Sequence, residues 1–297
     1  MIRVGPAGWS YADWEGRVYP SLKPRDFHPL SFLARYFDTV EINSTFYAMP
    51  RAEHARAWVQ RVADRPAFRF LVKLNQEFTH AVDDDGEDPS RAWSALARQF
   101  LEGLDPLRKA HKLSALLAQF PVGFAFGARE VRRLGRLKAS FPDAPLVLEV
   151  RHASWFAPPA LDAVRGLSYS LAYVDLPPAW NHPPPWHAPT GPIGYLRLHG
   201  RNGAAWARRG ATRDERYDYL YDHEEIAALA RTAERIDAEH AETNVVTNNH
   251  YAGKAVANAL EVLSLLRGEA VAAPAEIVEA FPHLRSHVRV DGQQPLF

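Results

Sequence analysis

The 297-residue chain contains no cysteine, and this absence removes several kinds of chemistry at once. Without thiols the protein has no thiol nucleophile, no disulfide framework, no iron–sulfur cluster and no thiolate-bound zinc. Any catalyst in it must therefore use carboxylates, imidazoles, amines or a bound metal.

The chain also lacks long hydrophobic runs and an excess of charge of either sign. No stretch approaches the roughly 20 apolar residues of a membrane-spanning helix, and residues 1–9 have no signal-peptide pattern. We therefore expect a cytoplasmic protein that does not contact membranes. The 35 Lys and Arg residues balance 35 Asp and Glu residues, and this zero net charge weighs against non-specific binding to nucleic acid.

Eight short apolar runs, each closed by a polar residue or a turn signal, predict β-strands. They are residues 2–8, 39–43, 68–74, 115–120, 146–150, 169–175, 194–199 and 244–248. Their near-continuous apolar character is typical of parallel strands buried on both faces, and segments with helical spacing lie between them. This order predicts a single-domain α/β fold, a (β/α)8 TIM barrel. A doubly wound sheet ranks lower because the chain lacks the glycine-rich motifs G-x-G-x-x-G and G-x-x-x-x-G-K-[ST].

Two segments depart from the repeating unit. Residues 176–192 are too rich in proline for a helix and predict a long irregular loop after strand six. The barrel domain is expected to span residues 1–267. Residues 268–297 are expected to form a C-terminal extension, either packed on the barrel or loose.

Polar residues at the carboxyl ends of barrel strands converge on one mouth, so these ends supply the candidate site. Four charged residues interrupt apolar strands there: Glu41, Lys73, Glu149 and Arg151. An unpaired buried charge is unfavourable, so these residues either form the salt bridges Glu41–Lys73 and Glu149–Arg151 or serve a site. Lys73 could form a Schiff base, but we expect the neighbouring acids to keep it protonated.

Other strand ends and the turns that follow them complete the candidate site. The residues expected to carry proton transfer are Glu41, Glu149, His152 and His199. The residues expected to bind the ligand are Trp9, Asn43, Tyr47, Lys73, His80, Gln119, Arg151, Asp175, Asn248, Asn249 and Lys254. The last three belong to a segment that opens a helix after strand eight, where barrels often bind phosphate through backbone N–H groups.

Eight stretches give the chain a family resemblance. In order they are GPAGWSYADWEGRVYP, YFDTVEINSTFYAMP, FRFLVKLNQEFTH, LLAQFP, LEVRHASW, LRLHGR, YDYLYDHEEI and NNHYAGKAVANAL. The chain resembles, from its N-terminus to about Arg267, the domain-of-unknown-function-72 family of YecE-like proteins. The resemblance implies a TIM barrel and the position of its polar mouth, and it implies no reaction. Such barrels are similar to the group that includes xylose isomerase and the apurinic endonucleases, which makes sugar or phosphodiester chemistry an analogy.

A divalent metal is an open alternative that we do not favour. Its ligands would come from Glu41, Glu149, His152, Asp175 and His199. These residues form no compact metal-binding motif, and Lys73 and Arg151 at the same mouth would repel a cation. The sequence therefore assigns no cofactor.

The residue types favour an enzyme, a hydrolase or an isomerase, that binds a small polar anionic or phosphorylated compound at the mouth. One alternative is a barrel that binds nucleic acid or processes phosphodiesters, with the arginine-rich residues 207–216 beside stacking aromatic residues. A second alternative is a non-catalytic binding protein. The oligomeric state is left open.

Overall fold

The strands follow the apolar runs of the sequence. The protein is represented by a computed structural model, which describes residues 1–81, 89–179 and 181–291. Its strands are β1 (Ile2–Pro6), β2 (Thr39–Ile42), β3 (Arg69–Lys73), β4 (Leu113–Gln119), β5 (Leu146–Glu149), β6 (Ser170–Leu171), β7 (Tyr173–Asp175), β8 (Ile193–Leu198), β9 (Glu242–Thr247), β10 (Val271–Ala273) and β11 (Val288–Val290). Each predicted run forms a strand, and the sixth run is divided into β6 and β7.

Helices separate most of the strands. They are α1 (Pro29–Leu33), α2 (Ser44–Tyr47), α3 (Ala52–Arg61), α4 (Gln76–Thr79), α5 (Pro89–Lys109), α6 (Ala128–Ser140), α7 (Pro158–Gly166), α8 (Gly203–Ala207), α9 (Arg213–Tyr217), α10 (His223–Glu239), α11 (Lys254–Arg267) and α12 (Ala275–Ala280). Short 3-10 helices cover Ala12–Trp14, Ala153–Phe156, Tyr251–Gly253 and Pro282–Ser286. Local chemistry sets the ends of the longer helices: Asp222 and Glu225 form a capping box at the start of α10. Gly268, with φ of 67°, ends α11 in the left-handed conformation.

The parallel strands form two sheets, not the single closed sheet that the barrel prediction requires. The orders are β1-β9-β8-β7 and β2-β3-β4-β5-β6, with β10 and β11 forming a separate pair. Between β1 and β2 there is one bridge, from Ala7 to Glu41, beside the bond from Gly8 N to Glu41 O at 2.8 Å. At the other seam the chain passes from β6 to β7 through Ala172, and these short strands pair with β5 and β8 respectively. The structure is therefore an α/β fold with parallel sheets.

The inner faces of the two sheets share one apolar cluster. Leu71, Leu117 and Val147 come from the five-stranded sheet, and Tyr195 and Val246 come from the four-stranded sheet. Side chains alternate along a strand, so residues an even number of positions from these five face the same interior. This alternation decides which polar residues at the strand ends can meet.

The two irregular segments are both packed. In the described part of residues 176–192 there is no helix, as predicted, and His187 from this loop stacks on Tyr173 with ring centroids 4.0 Å apart. After α11, β10 pairs with β11, and Ile277, Phe281 and Leu284 are buried in the cluster that includes α11. Residues 268–291 are thus packed on the sheets and helices, and residues 292–297 of the predicted extension lie outside the described residues.

Among the described helices, none has the length and apolar character needed to cross a membrane.

The seam between β1 and β2 depends on the absence of a side chain at Gly5. A Cβ atom there would lie 1.8 Å from Thr39 O, a backbone atom that cannot rotate away. We predict that Gly5→Ala lowers the free energy of unfolding by about 1–3 kcal/mol, the range for overpacked cores, as measured by urea denaturation. The control is Gly166→Ala at the end of α7, where nothing lies within 4 Å. Equal stability of the two variants would show that the seam is not closely packed.

Candidate functional site

A buried arginine on β8 joins two glutamates from different strands. Arg197 donates to Glu41 Oε1 at 2.7 Å and to Glu149 Oε2 at 2.5 Å. Both carboxylates are fully buried and Arg197 is 2% exposed. Glu41 lies on β2 and Glu149 on β5, so the guanidinium spans the interior between the two sheets.

The remaining oxygen atoms of the two carboxylates are also engaged. Tyr195 donates its hydroxyl to Glu41 Oε2 at 2.6 Å, and Arg151 Nε donates to Glu149 Oε1 at 2.8 Å. Burial alone would raise the pKa of Glu149, but Arg197, Arg151 and His199 outweigh it and hold that pKa well below its ordinary value. Both glutamates are therefore bound by arginines, and Glu149 is ionised at neutral pH.

Only one of the two salt bridges considered in the sequence is present. Glu149 pairs with Arg151, whereas Glu41 pairs with Arg197 and not with Lys73. The reason is geometric, because Arg197 reaches both carboxylates from β8 with the two ends of its planar guanidinium. Arg197 therefore takes the place beside Glu41 that the sequence assigned to Lys73.

Lys73 is consequently left without an acidic partner. In the part of the chain that the structure describes, Lys73 Nζ makes no hydrogen bond or ion pair, and it lies 3.9 Å from the centroid of the Phe46 ring. Burial, with the nearby Arg197, lowers the pKa of Lys73 to about 7, and Glu149 and Glu41 oppose this only in part. The expectation that acids keep Lys73 protonated is corrected here, because the arginines already satisfy those acids.

His199 is fully buried next to Glu149. Asn248 lies 2.9 Å from His199 Nδ1, and His199 Nε2 lies 3.4 Å from Glu149 Oε1. If the Asn248 amide donates to Nδ1, the neutral ring carries its proton on Nε2, facing Glu149. Burial lowers the pKa of His199 to about 3 although Glu149 acts in the opposite direction, so the imidazole is neutral at neutral pH.

A cavity of about 70 Å³ opens above this network. Its lining residues are Tyr11, Asn43, Phe46, Tyr47, Lys73, Arg151, Arg197, Arg213, Tyr217, Asn248 and His250. Four of them are Lys or Arg, and the lining contains no carboxylate side chain. Burial and the nearby Arg213 lower the pKa of His250 to about 4, so that ring adds no charge at neutral pH.

A second cavity adjoins the first. It is lined by Trp9 and Trp58, whose rings meet edge to face at 6.0 Å. It shares Tyr11, Asn43, Tyr47 and Arg213 with the first cavity. Trp9 therefore lies beside the cationic cavity rather than in it, and Tyr47 stands between the two with 64% of its surface exposed.

Three predicted site residues lie near the cavity without lining it. His152 caps the 3-10 helix Ala153–Phe156 and bonds to Ser154 Oγ at 2.8 Å. Gln119 donates to Phe120 O at 2.6 Å. His80 packs against Phe46, and burial together with Lys73 lowers the pKa of His80 to about 4.

Three other predicted residues have partners elsewhere. Asp175 lies one position out of phase with the inward-facing residues of β7 and accepts from Arg201 at 2.6 Å. Asn249 is out of phase with Asn248 and donates to Asn258 Oδ1 on α11 at 2.9 Å. Lys254 pairs with Asp218. Their predicted roles in ligand binding stay predictions.

The start of α11 is already occupied by a carboxylate. Asp13 accepts from the backbone N–H of Ala252, just before this helix begins. The sequence did not identify this contact, because Asp13 lies 239 positions away along the chain. Tyr217 and Arg213 were also missed, since both come from a short helix inside a loop and not from a strand end.

The carboxylates proposed as metal ligands do not converge. Arg197 stands between Glu41 and Glu149, and Asp175 faces the helix layer with Arg201. The donor set considered in the sequence therefore does not fit a metal at this cavity.

Parallel strands with a polar cavity lined by residues from their carboxyl ends define this chain as a single-domain α/β protein with parallel sheets. The chain belongs to the family described as "Protein of unknown function DUF72", whose sequence model matches residues 3–280. This match confirms the resemblance found in the sequence.

Relatives and solved structures agree with this assignment. The chain is 28% identical to the UPF0759 protein YunF of Bacillus subtilis over 90% of its length and 95% of that protein. It is 30% identical to the UPF0759 protein YecE of Escherichia coli over 53% of its length and 51% of that protein. Crystal structures of DUF72 proteins from Thermotoga maritima and Enterococcus faecalis superpose with TM-scores of 0.75 and 0.76, at 34% and 28% identity. They match 90% of this chain and 99% and 96% of their own.

The central arginine should matter more to stability than a surface ion pair. We predict that Arg197→Met lowers the free energy of unfolding by about 3–5 kcal/mol, because it leaves the buried Glu41 without its cationic partner and removes one of the two arginines bound to Glu149. Urea denaturation at pH 7 measures the change. The matched control is Arg267→Met, which breaks an exposed pair with Asp38 and should cost about 1 kcal/mol or less. A loss at Arg197 no larger than the loss at Arg267 would contradict the described network.

Proposed function

We propose that this protein is an enzyme that binds a small anionic or phosphorylated compound in the cavity above Arg197. The observation that carries the proposal is the charge of the lining, four Lys and Arg side chains with no carboxylate among them. We further propose that the two sheets act as one barrel, with this cavity at its mouth.

The excess of positive charge lies on two residues. Arg197 and Arg151 balance the charges of Glu41 and Glu149, to which they are bonded. Lys73 and Arg213 then remain, and among the described residues Arg213 forms one ion pair, an exposed contact with Asp214 at 3.2 Å. An anion in the cavity would compensate this excess and accept hydrogen bonds from Lys73 and Arg213.

Proton transfer is assigned to Lys73 in this proposal. The sequence favoured Glu41, Glu149, His152 and His199, but both glutamates are held by arginines and His199 is neutral. A general acid or base works best when its pKa lies near the operating pH, and the pKa of Lys73 is about 7. Removal and return of a proton on a bound anion, a reaction of the isomerase type, suits such an amine.

The nucleic-acid alternative has less support. Within the arginine-rich segment, Arg208 is paired with Glu215 and Arg213 contacts Asp214, so acids of the same segment offset part of its charge. A non-catalytic binding protein would use the same cavity, and only a turnover assay separates it from an enzyme.

Anion binding should depend on the protonation of Lys73. We predict that the affinity for sulfate, which stays a dianion throughout, falls by about tenfold between pH 6 and pH 8.5, because Lys73 loses its positive charge as the pH rises through 7. Isothermal titration calorimetry measures the affinity. The cavity histidine His250 and the adjacent His199 have pKa values of about 4 and 3, so they stay neutral over this range.

Two substitutions at Lys73 and a control make the test specific. Lys73→Met should weaken sulfate binding at pH 6 by about 10- to 100-fold, because it removes one hydrogen bond between charged groups. Lys73→Arg should keep binding but lose its pH dependence, because arginine stays protonated. Lys109→Met, which removes an exposed lysine on α5, should change nothing. Sulfate binding with the same pH dependence in Lys73→Met would overturn the proposal.

A further inference from the structure

A second polar cluster lies away from the cationic cavity, where the C-terminal segment meets two helices. His223 is the first residue of α10, Glu261 lies on α11, and His287 directly follows the 3-10 helix Pro282–Ser286. One donor atom from each of these three residues lies within 4.8 Å of the other two. Histidine nitrogen and carboxylate oxygen are the donors that zinc takes in proteins without cysteine ligands.

The carboxylate of this cluster is buried without a permanent cation. Glu261 is 1% exposed, and no lysine or arginine within the described residues forms an ion pair with it. Its nearest basic group is His283 Nε2, 3.5 Å from Oε2, which is charged only when protonated. A buried carboxylate normally has a counter-charge or coordinates a metal.

The carboxylate is also held in position. Asn258, one turn earlier on α11, donates to Glu261 Oε2 at 2.9 Å. Metal-binding side chains characteristically have such a hydrogen-bond partner behind them, since it fixes their orientation.

The cluster is accessible from solvent. A cavity of about 460 Å³ is lined by all four groups, His223, Glu261, His283 and His287, together with Tyr221 and Ser286. His223 is exposed and His283 is 40% exposed, so both rings can turn toward a common point. Donors around a tetrahedral zinc ion lie about 3.3 Å apart, so the donor atoms of His223, Glu261 and His287, which lie within 4.8 Å of one another, need only small movements, and His283 must turn its ring toward them.

We propose that His223, Glu261 and His287, with His283 as the fourth ligand, form a zinc site. Such a site would clamp residues 282–287 to α10 and α11 and would act in stability, independently of the anion cavity. The family sequence model ends at residue 280, so two of the four ligands lie beyond the part of the chain that it matches.

Zinc binding to the metal-free full-length chain, with any affinity tag removed, tests the proposal. Calorimetry should show one zinc ion per chain with a dissociation constant of about 1 μM or tighter. His223→Ala and His287→Ala should each weaken zinc binding by more than about tenfold. Removing a residue that only hydrogen-bonds to a metal ligand usually weakens binding by about tenfold or more, so removing a ligand itself should weaken it further. His54→Ala, which removes an exposed histidine on α3, is the matched control and should bind zinc normally.

A second measurement is independent of calorimetry. Zinc should raise the melting temperature of the unmodified chain and of His54→Ala, but not that of His223→Ala. His223 is an exposed side chain, so its removal leaves the fold intact and keeps this comparison valid. The absence of saturable zinc binding, or equal binding by a His223→Ala/His287→Ala variant, would overturn the proposal. Neither result would bear on sulfate binding at Lys73.

Discussion

The buried guanidinium of Arg197 is the interaction on which the interior of this protein depends. It connects a carboxylate on β2 with a carboxylate on β5 from its own position on β8, so it links the two sheets by charge where their ladders are not continuous. Without Arg197, Glu41 would lose its cationic partner and Glu149 would lose one of its two, and a buried carboxylate without a counter-charge is strongly destabilising. Tyr195 and Arg151 occupy the oxygen atoms that Arg197 leaves, which completes the network.

The low pKa of Lys73 follows from its burial and from the pairing of Glu41 and Glu149 with arginines. Since Glu41 and Glu149 already have arginine partners, they provide little support for a charge on Lys73, and the amine lies among like charges over the Phe46 ring. In the proposed function, the same arrangement attracts an anion and supplies a group that exchanges a proton near neutral pH. Under that proposal, charge pairing beneath the cavity determines both what the cavity binds and which residue transfers a proton.

Much of the fold could be predicted from the sequence, because buried parallel strands give continuous apolar runs. The alternation of side chains also carried usable information, because it shows that Asp175 and Asn249 are out of phase with the interior residues of their segments. The partner of Glu41 could not be predicted, since the choice between Lys73 and Arg197 depends on reach across the interior. Sequence spacing likewise gives no sign of the proposed zinc site, whose suggested ligands are at positions 223, 261, 283 and 287.

The central claim is that Lys73 is an amine without an acidic partner, and direct titration of this residue tests it most sharply. NMR of the full-length chain with isotope-labelled lysine side chains, with Lys73 assigned from the Lys73→Arg variant, follows its protonation through pH. The account predicts a midpoint of about 7 for Lys73. A midpoint near the ordinary lysine value of about 10.4 would contradict it, because it would show that a carboxylate stabilises the charge on this amine.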